Sequence, residues 1–223
     1  MARTLLALVL GATAAHGQLD NRWLEFAPSD GSLDVLPTAI SGMDAEVDFA
    51  SGDLDQDGRP DLVAVRKEPF GTPGKRTNLL LMSEQGVLRD RTALYAAASD
   101  VPGDQGFLTP TADRDVVLAD VDVDGWLDVV TAATLGAGEP KHVSHPRVYR
   151  NLGGAAWLGL RHEDARIPLL LHAGSGLPVP PRFTSVAAGD LDADGAPDLY
   201  FGDGDQGPLG LARPTWSRTT ASA

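Results

Sequence analysis

The 223-residue chain contains no cysteine. Disulfides, thiolate metal sites and cysteine nucleophiles are therefore excluded. Long hydrophobic runs are missing too, so the sequence offers no transmembrane helix, which needs about 20 apolar residues. Basic residues are scarce: 18 Lys and Arg stand against 31 Asp and Glu, a formal net charge of −13. That balance argues against nucleic acid as a partner, because phosphate backbones are bound by positive charge. Catalytic signatures are few. There is no H-E-x-x-H zinc motif and no glycine-rich phosphate loop. Ser175 in "AGSGLP" lacks the G-x-S-x-G frame and reads as a turn.

Hydrophobic residues make up 43% of the chain, enough for a core, and 25 glycines and 16 prolines imply many turns. The length suits one sizeable domain or two small ones. The N-terminus, "MARTLLALVLGATAAHGQLD", places Arg3 before an apolar stretch from Leu5 to Ala15. Small residues at Ala15 and Gly17 fit cleavage before Gln18. This order predicts a secretory signal peptide over residues 1–17 and a secreted, extracellular or periplasmic mature chain. A secreted chain without disulfides needs other staples.

One acidic pattern is written three times: "DLDQDGRPDL" from Asp53, "DVDVDGWLDV" from Asp120 and "DLDADGAPDL" from Asp190. The intervals are 67 and 70 residues, a period that signals a repeat architecture. Short runs rich in Val, Leu and Ala flank each loop, as "AEVDFASG" and "DLVAVR" do the first, and read as buried strands. Further on, residues 78–92 align with 146–162, each a strand, a glycine turn and a strand. One unit is thus four antiparallel strands with the acidic loop between the first two, the pattern of a β-propeller blade. The expected organisation is a segment over 18–45 carrying a strand at 22–26, repeat 1 over 46–114, repeat 2 over 115–183, a partial repeat 3 over 184–202 and a loosely ordered tail over 203–223. Stretches 92–114 and 162–183 read as loops between units.

Positions 1, 3, 5 and 9 of each loop are aspartates. They converge only if the backbone curls tightly, which glycine at position 6 (Gly58, Gly125, Gly195) permits. Position 7 (Arg59, Trp126, Ala196) adds a backbone carbonyl. Such a cage of hard oxygens suits Ca²⁺ better than the strict octahedron of Mg²⁺. The twelve loop aspartates account for all but one of the thirteen net negative charges. An EF-hand is rejected, because its position-12 Glu is replaced by Ala64, Thr131 and Phe201 and the flanks are strand-like.

These loops between short strands resemble FG-GAP/VCBS repeats, which build calcium-binding propellers in integrin α-subunits and in many secreted bacterial proteins. The likeness covers about residues 22–202. "YFGD" (200–203) and "DGAPD" (194–198) echo the family's signature only faintly, so the bacterial VCBS-like branch fits better. The resemblance implies up to three Ca²⁺. The first is held by Asp53, Asp55, Asp57 and Asp61 with the Arg59 carbonyl. The second is held by Asp120, Asp122, Asp124 and Asp128 with the Trp126 carbonyl. The third is held by Asp190, Asp192, Asp194 and Asp198 with the Ala196 carbonyl. Closed propellers have about 4–8 blades, more than this chain supplies. A truncated frame, an open arc or copies that assemble into a ring would each account for the number, and truncation is the favoured expectation.

Other polar groups are read as bland. His142 and His145 in "HVSH" are expected to be solvated loop histidines, and His162, Glu163 and Asp164 a solvated polar strand end. Trp126 and Trp157 are either exposed contact residues or packing against a neighbouring blade. The function expected is a non-catalytic, calcium-stabilised module that binds an extracellular protein or glycan. The alternatives are a lectin-like propeller, for which a repeated aromatic platform is lacking, and the propeller portion of a longer extracellular enzyme.

Overall fold

The computed structural model describes residues 46–69, 74–134, 138–169, 176 and 182–203. The expected signal peptide, the segment 18–45 with its strand at 22–26, Ser175 and residues 204–223 of the expected tail lie outside the described residues.

The protein is all-β, built almost wholly from antiparallel pairs. The first sheet holds β1 (Glu46–Gly52), β2 (Asp61–Lys67), β3 (Leu79–Glu84) and β4 (Val87–Asp90) in sequence order, each antiparallel to the next. β1 and β2 flank the first acidic loop in the register Gly52↔Asp61 to Glu46↔Lys67. β3 and β4 are joined by Gln85 and Gly86, both at positive φ, the two-residue type I′ connection whose twist matches a hairpin.

The second sheet comprises β5 (Ala98–Ser99), β6 (Asp113–Ala119), β7 (Asp128–Ala133), β8 (Arg147–Asn151) and β9 (Leu160–His162), ordered β5-β9-β8-β7-β6. β6 to β9 repeat the antiparallel succession of the first sheet. β5 departs from the expected unit. It comes from the stretch read as a loop between repeats and pairs parallel with β9. Two residues carry too little pattern to announce a strand; β5 forms because β9 offers an open edge. The same stretch also holds a helical turn, Thr92–Tyr95, and a 3₁₀ turn, Gly106–Leu108. A third pair, β10 (Phe183–Gly189) and β11 (Asp198–Asp203), is antiparallel around the third acidic loop.

The sheets stack in chain order, β6 lying against β1 and β2, and β10 against β6 and β7. Strands covered on both faces read as continuous apolar runs; β7 is buried along its whole length. Between the first two sheets Leu54, Val63, Val65, Leu80 and Met82 meet Phe107, Val116, Val129, Tyr149 and Leu160. The next interface joins Val130, Ala132, Val148 and Ile167 to Phe183, Val186, Leu199 and Phe201. Among the described residues no helix is long and apolar enough to cross a membrane.

Two expectations about polar residues are corrected. His145 is not solvated: it is buried at the end of a helical turn (Lys141–Ser144), its Nδ1 2.9 Å from Ser144 Oγ. Burial and the nearby Lys141 charge push its pKa down to about 4, so it is neutral. His162 is buried too, its Nδ1 3.0 Å from Ser99 Oγ and 3.6 Å from Asp104 Oδ1. The physical reason is β5 and the loop after it, which cover β9 and turn an apparent strand end into core. Asp104 also accepts from Arg147 at 2.8 Å, and both side chains are fully buried.

Candidate metal centre

Each acidic loop joins the first two strands of its unit, so the pairs Gly52↔Asp61, Ala119↔Asp128 and Gly189↔Asp198 hold its ends at antiparallel strand spacing, about 5 Å. All three close with the same backbone. The position-6 glycines have φ of 85°, 91° and 91°, the left-handed region glycine enters freely. Position 4 is left-handed as well, at Gln56, Val123 and Ala193, each with φ 59°. The double reversal curls the chain so that alternate side chains point inward.

The first aspartate caps that curl. Oδ2 accepts from the position-6 amide in every loop: Gly58 to Asp53 at 2.9 Å, Gly125 to Asp120 at 2.8 Å and Gly195 to Asp190 at 3.0 Å. The position-5 aspartate accepts from the position-7 amide, Arg59 to Asp57, Trp126 to Asp124 and Ala196 to Asp194. The position-9 aspartate fastens the loop to the sheet. Asp61 accepts from Leu54 N at 3.0 Å and from Ser83 N of β3 at 2.9 Å. Asp128 accepts from Val121 N at 3.0 Å and from Asn151 N of β8 at 2.7 Å. Asp198 accepts from Leu191 N at 3.0 Å. It is the one loop whose unit lacks a third strand among the described residues.

Carboxylate oxygens of Asp53, Asp55 and Asp57 lie within 4.8 Å of one another, as do those of Asp120, Asp122 and Asp128, and of Asp190, Asp192 and Asp194. Three of the four aspartates thus meet in each loop. The fourth is turned elsewhere: Asp61 and Asp198 to the backbone, and Asp124 to Arg150 at 3.0 Å. Two oxygens in these clusters, Asp53 Oδ1 and Asp122 Oδ1, are buried without a hydrogen-bond partner. A buried anionic oxygen left unpaired is costly. A hard cation with oxygen ligands relieves that cost, so the donor set fits Ca²⁺.

The titration behaviour follows from the same crowding. Burial pushes Asp128 up to about 7 and Asp61 up to about 6, against the backbone amides they accept from. Burial, then the charges of Asp57 and Asp53, raises Asp55. A dication beside these carboxylates reverses the shifts.

Arginines enter the loops in a way the sequence pattern did not announce. Arg150 of β8 donates from Nε to Asp122 Oδ2 at 2.7 Å, and Arg166 donates to the same oxygen at 2.9 Å. They hold Oδ2 of Asp122, while its Oδ1 is buried without a hydrogen-bond partner; an outer-shell partner that orients a ligand acts in this way. Arg59 pairs with Asp57 at 2.5 Å and donates to the Ser83 carbonyl. The residue aligned with Arg150 in the first unit is Met82, so no repeat signal marks it.

Trp126 and Trp157 are packing residues. Gly153, at φ 57°, lies against the Trp126 indole so closely that a Cβ there would stand 2.6 Å from Nε1. Trp157 donates to Asn151 Oδ1 at 2.7 Å and packs on Tyr95, ring centroids 4.9 Å apart. The loops also touch: Gln56 Nε2 donates to the Gly125 carbonyl at 2.8 Å, and Asn151 Nδ2 to the Leu54 carbonyl at 2.8 Å. The first two acidic loops therefore sit side by side at one end of the stack. No protein-family model matches the chain, and no curated protein matches it.

Proposed function

We propose that this protein is a secreted, calcium-stabilised FG-GAP/VCBS-type repeat module, its units blades of a partial β-propeller, that binds an extracellular protein or glycan. The observation that carries the calcium reading is the unpaired buried oxygen in two of three geometrically alike carboxylate clusters. The in-order, antiparallel four-strand sheet, repeated within the second sheet, supports the blade reading. In this reading calcium is structural. It neutralises the converging aspartates and locks the loop that sets the β1/β2 and β6/β7 register, a task disulfides cannot perform in a cysteine-free chain. Extracellular calcium modules work at Kd of about 10⁻⁴–10⁻³ M, so such sites fill outside the cell.

The test is thermal unfolding of the purified protein with Ca²⁺ and with chelator, paired with metal analysis of the protein as isolated. Calcium is expected to raise the midpoint, and Mg²⁺ at the same concentration to raise it less. An unchanged midpoint together with no bound calcium rejects the reading. A panel of immobilised glycans and extracellular matrix proteins then separates the two partner classes.

A further inference from the structure

The inter-unit contacts repeat, and each half of the repeat recurs, exposed, at an end of the stack. Loop position 2 is the forward half. Leu54 is fully buried in the core it shares with Val116, Val129 and Tyr149 of the next sheet. Val121 likewise packs against Val186, Leu199 and Phe201 of the third pair. The same position in the third loop is Leu191, and it is 70% exposed.

The backward half lies four residues before each loop. Val116 and Val186 are 7% and 9% exposed because each packs into the sheet before it. Their counterpart in β1 is Phe49, 49% exposed. A polar contact follows the same order. Across the second junction Asp115 of β6 accepts from Val186 N of β10 at 2.7 Å. The matching residue of the third pair is Ser185, which is exposed.

We infer that the Leu191 face of one chain docks on the Phe49 face of a second copy of the same chain, continuing head to tail the junction that the units form internally. The occupant is argued from continuity. At both internal junctions the surface equivalent to Leu191 is covered by the first strand of another unit of this sequence, and a second copy presents that strand with Phe49 outward. The two surfaces differ, so the contact is heterologous, and it closes into a ring or extends as a filament. Burying two large apolar side chains that now face water supplies the driving force. This inference goes beyond the calcium reading and stands or falls separately from it.

The experiment is sedimentation of the full-length protein over a range of concentrations, in calcium and in chelator, for wild type, Leu191→Asp and Phe49→Asp. Wild type is expected to sediment as two or more chains, with the fraction rising with concentration. Each variant alone is expected as a single chain, because each lacks one half of the contact. An equal mixture of the two is expected to give a dimer and nothing larger, since one intact Leu191 face meets one intact Phe49 face. Far-ultraviolet circular dichroism checks folding, and Leu191→Ser and Phe49→Ser replace any variant that fails it. A wild-type protein that stays a single chain in both conditions overturns the inference, as do variants that keep the wild-type mass or a mixture that remains monomeric. A single-chain mass for the wild type together with a lowered thermal midpoint for Leu191→Asp assigns the face to another segment of the same chain, and also overturns it.

Discussion

At the scale of the residue, the position-9 aspartates do two jobs that the motif alone does not separate. Asp61 and Asp128 each accept two backbone amides, one from the loop and one from the third strand of the sheet. Replacing either carboxylate with an amide turns one acceptor into a donor facing an N–H. Asp128→Asn and Asp61→Asn are therefore expected to cost about 1–3 kcal/mol each in urea unfolding, even in chelator. Asp198→Asn, with one amide contact among the described residues, is expected to cost less. Equal losses at all three positions would show that the third-strand bond carries no weight.

The same two residues set a pH dependence. Their folded values, about 6 and about 7, lie above the ordinary carboxylate value. Such groups contribute stability that is complete below the unfolded pKa and is lost as pH rises through the folded one. His145 and His162, held low by burial, act oppositely, their contribution falling away below the ordinary histidine value. In chelator the thermal midpoint should therefore climb as pH falls from about 8 to about 6.5, the ordinary histidine value, and level off or turn below it. The proposed calcium would replace the protons on the aspartates and should flatten the upper limb. A midpoint in chelator that falls over that upper window contradicts the assignment.

At the scale of the element, the strands beside the acidic loops are legible from apolar runs bounded by turns. β2 reads "DLVAVRK" and β7 "DVVTAA", and both are nearly continuous in burial. Glycine at position 6 is legible as well, because only a residue without Cβ turns there freely. Position 4 is not. Gln56, Val123 and Ala193 share a left-handed conformation that no residue type announces. For a β-branched side chain that conformation costs roughly 1–2 kcal/mol. Val123→Asn is expected to recover about 1 kcal/mol in chelator, since Asn tolerates the region and Val123 is exposed. A loss of stability would mean that Val123 packs in a way its exposure does not suggest. β5 escaped the pattern for a different reason: two residues hold no periodicity, and their pairing is decided by an edge some 60 residues away.

At the scale of the molecule, stability rests on how sheets stack and on a polar network inside the stack. The Asp104–Arg147 pair is fully buried, and Asp104 also meets His162 and the Gly106 amide. Burial alone would raise the Asp104 pKa, but the bonds from His162 and Arg147 outweigh it and hold the carboxyl well below its usual range. Asp104→Ala strands the guanidinium and is expected to cost about 3–5 kcal/mol, read by urea or thermal unfolding. A loss under about 1 kcal/mol, the exposed-pair range, would show that water reaches the pair. The proposed calcium would act at this scale too. One filled site at a hundredfold excess over Kd would add about 2.7 kcal/mol, and each kcal/mol moves the midpoint of a domain this size by about 2–4 °C.

The threefold D-x-D-x-D-G-x-x-D pattern determined the loops and their flanking strands, because spacing, glycine and apolar runs act locally. It pointed to four converging aspartates in each loop, and the folded chain brings carboxylate oxygens of three together. Tertiary structure alone decided that Arg150 and Arg166 hold Asp122, that Asp124 turns away, that His145 and His162 are buried and that Leu54 is core where Leu191 is surface. These depend on which unit lies next to which. Leu54, Val121 and Leu191 occupy one position of one motif, and only the neighbour each one meets makes the difference.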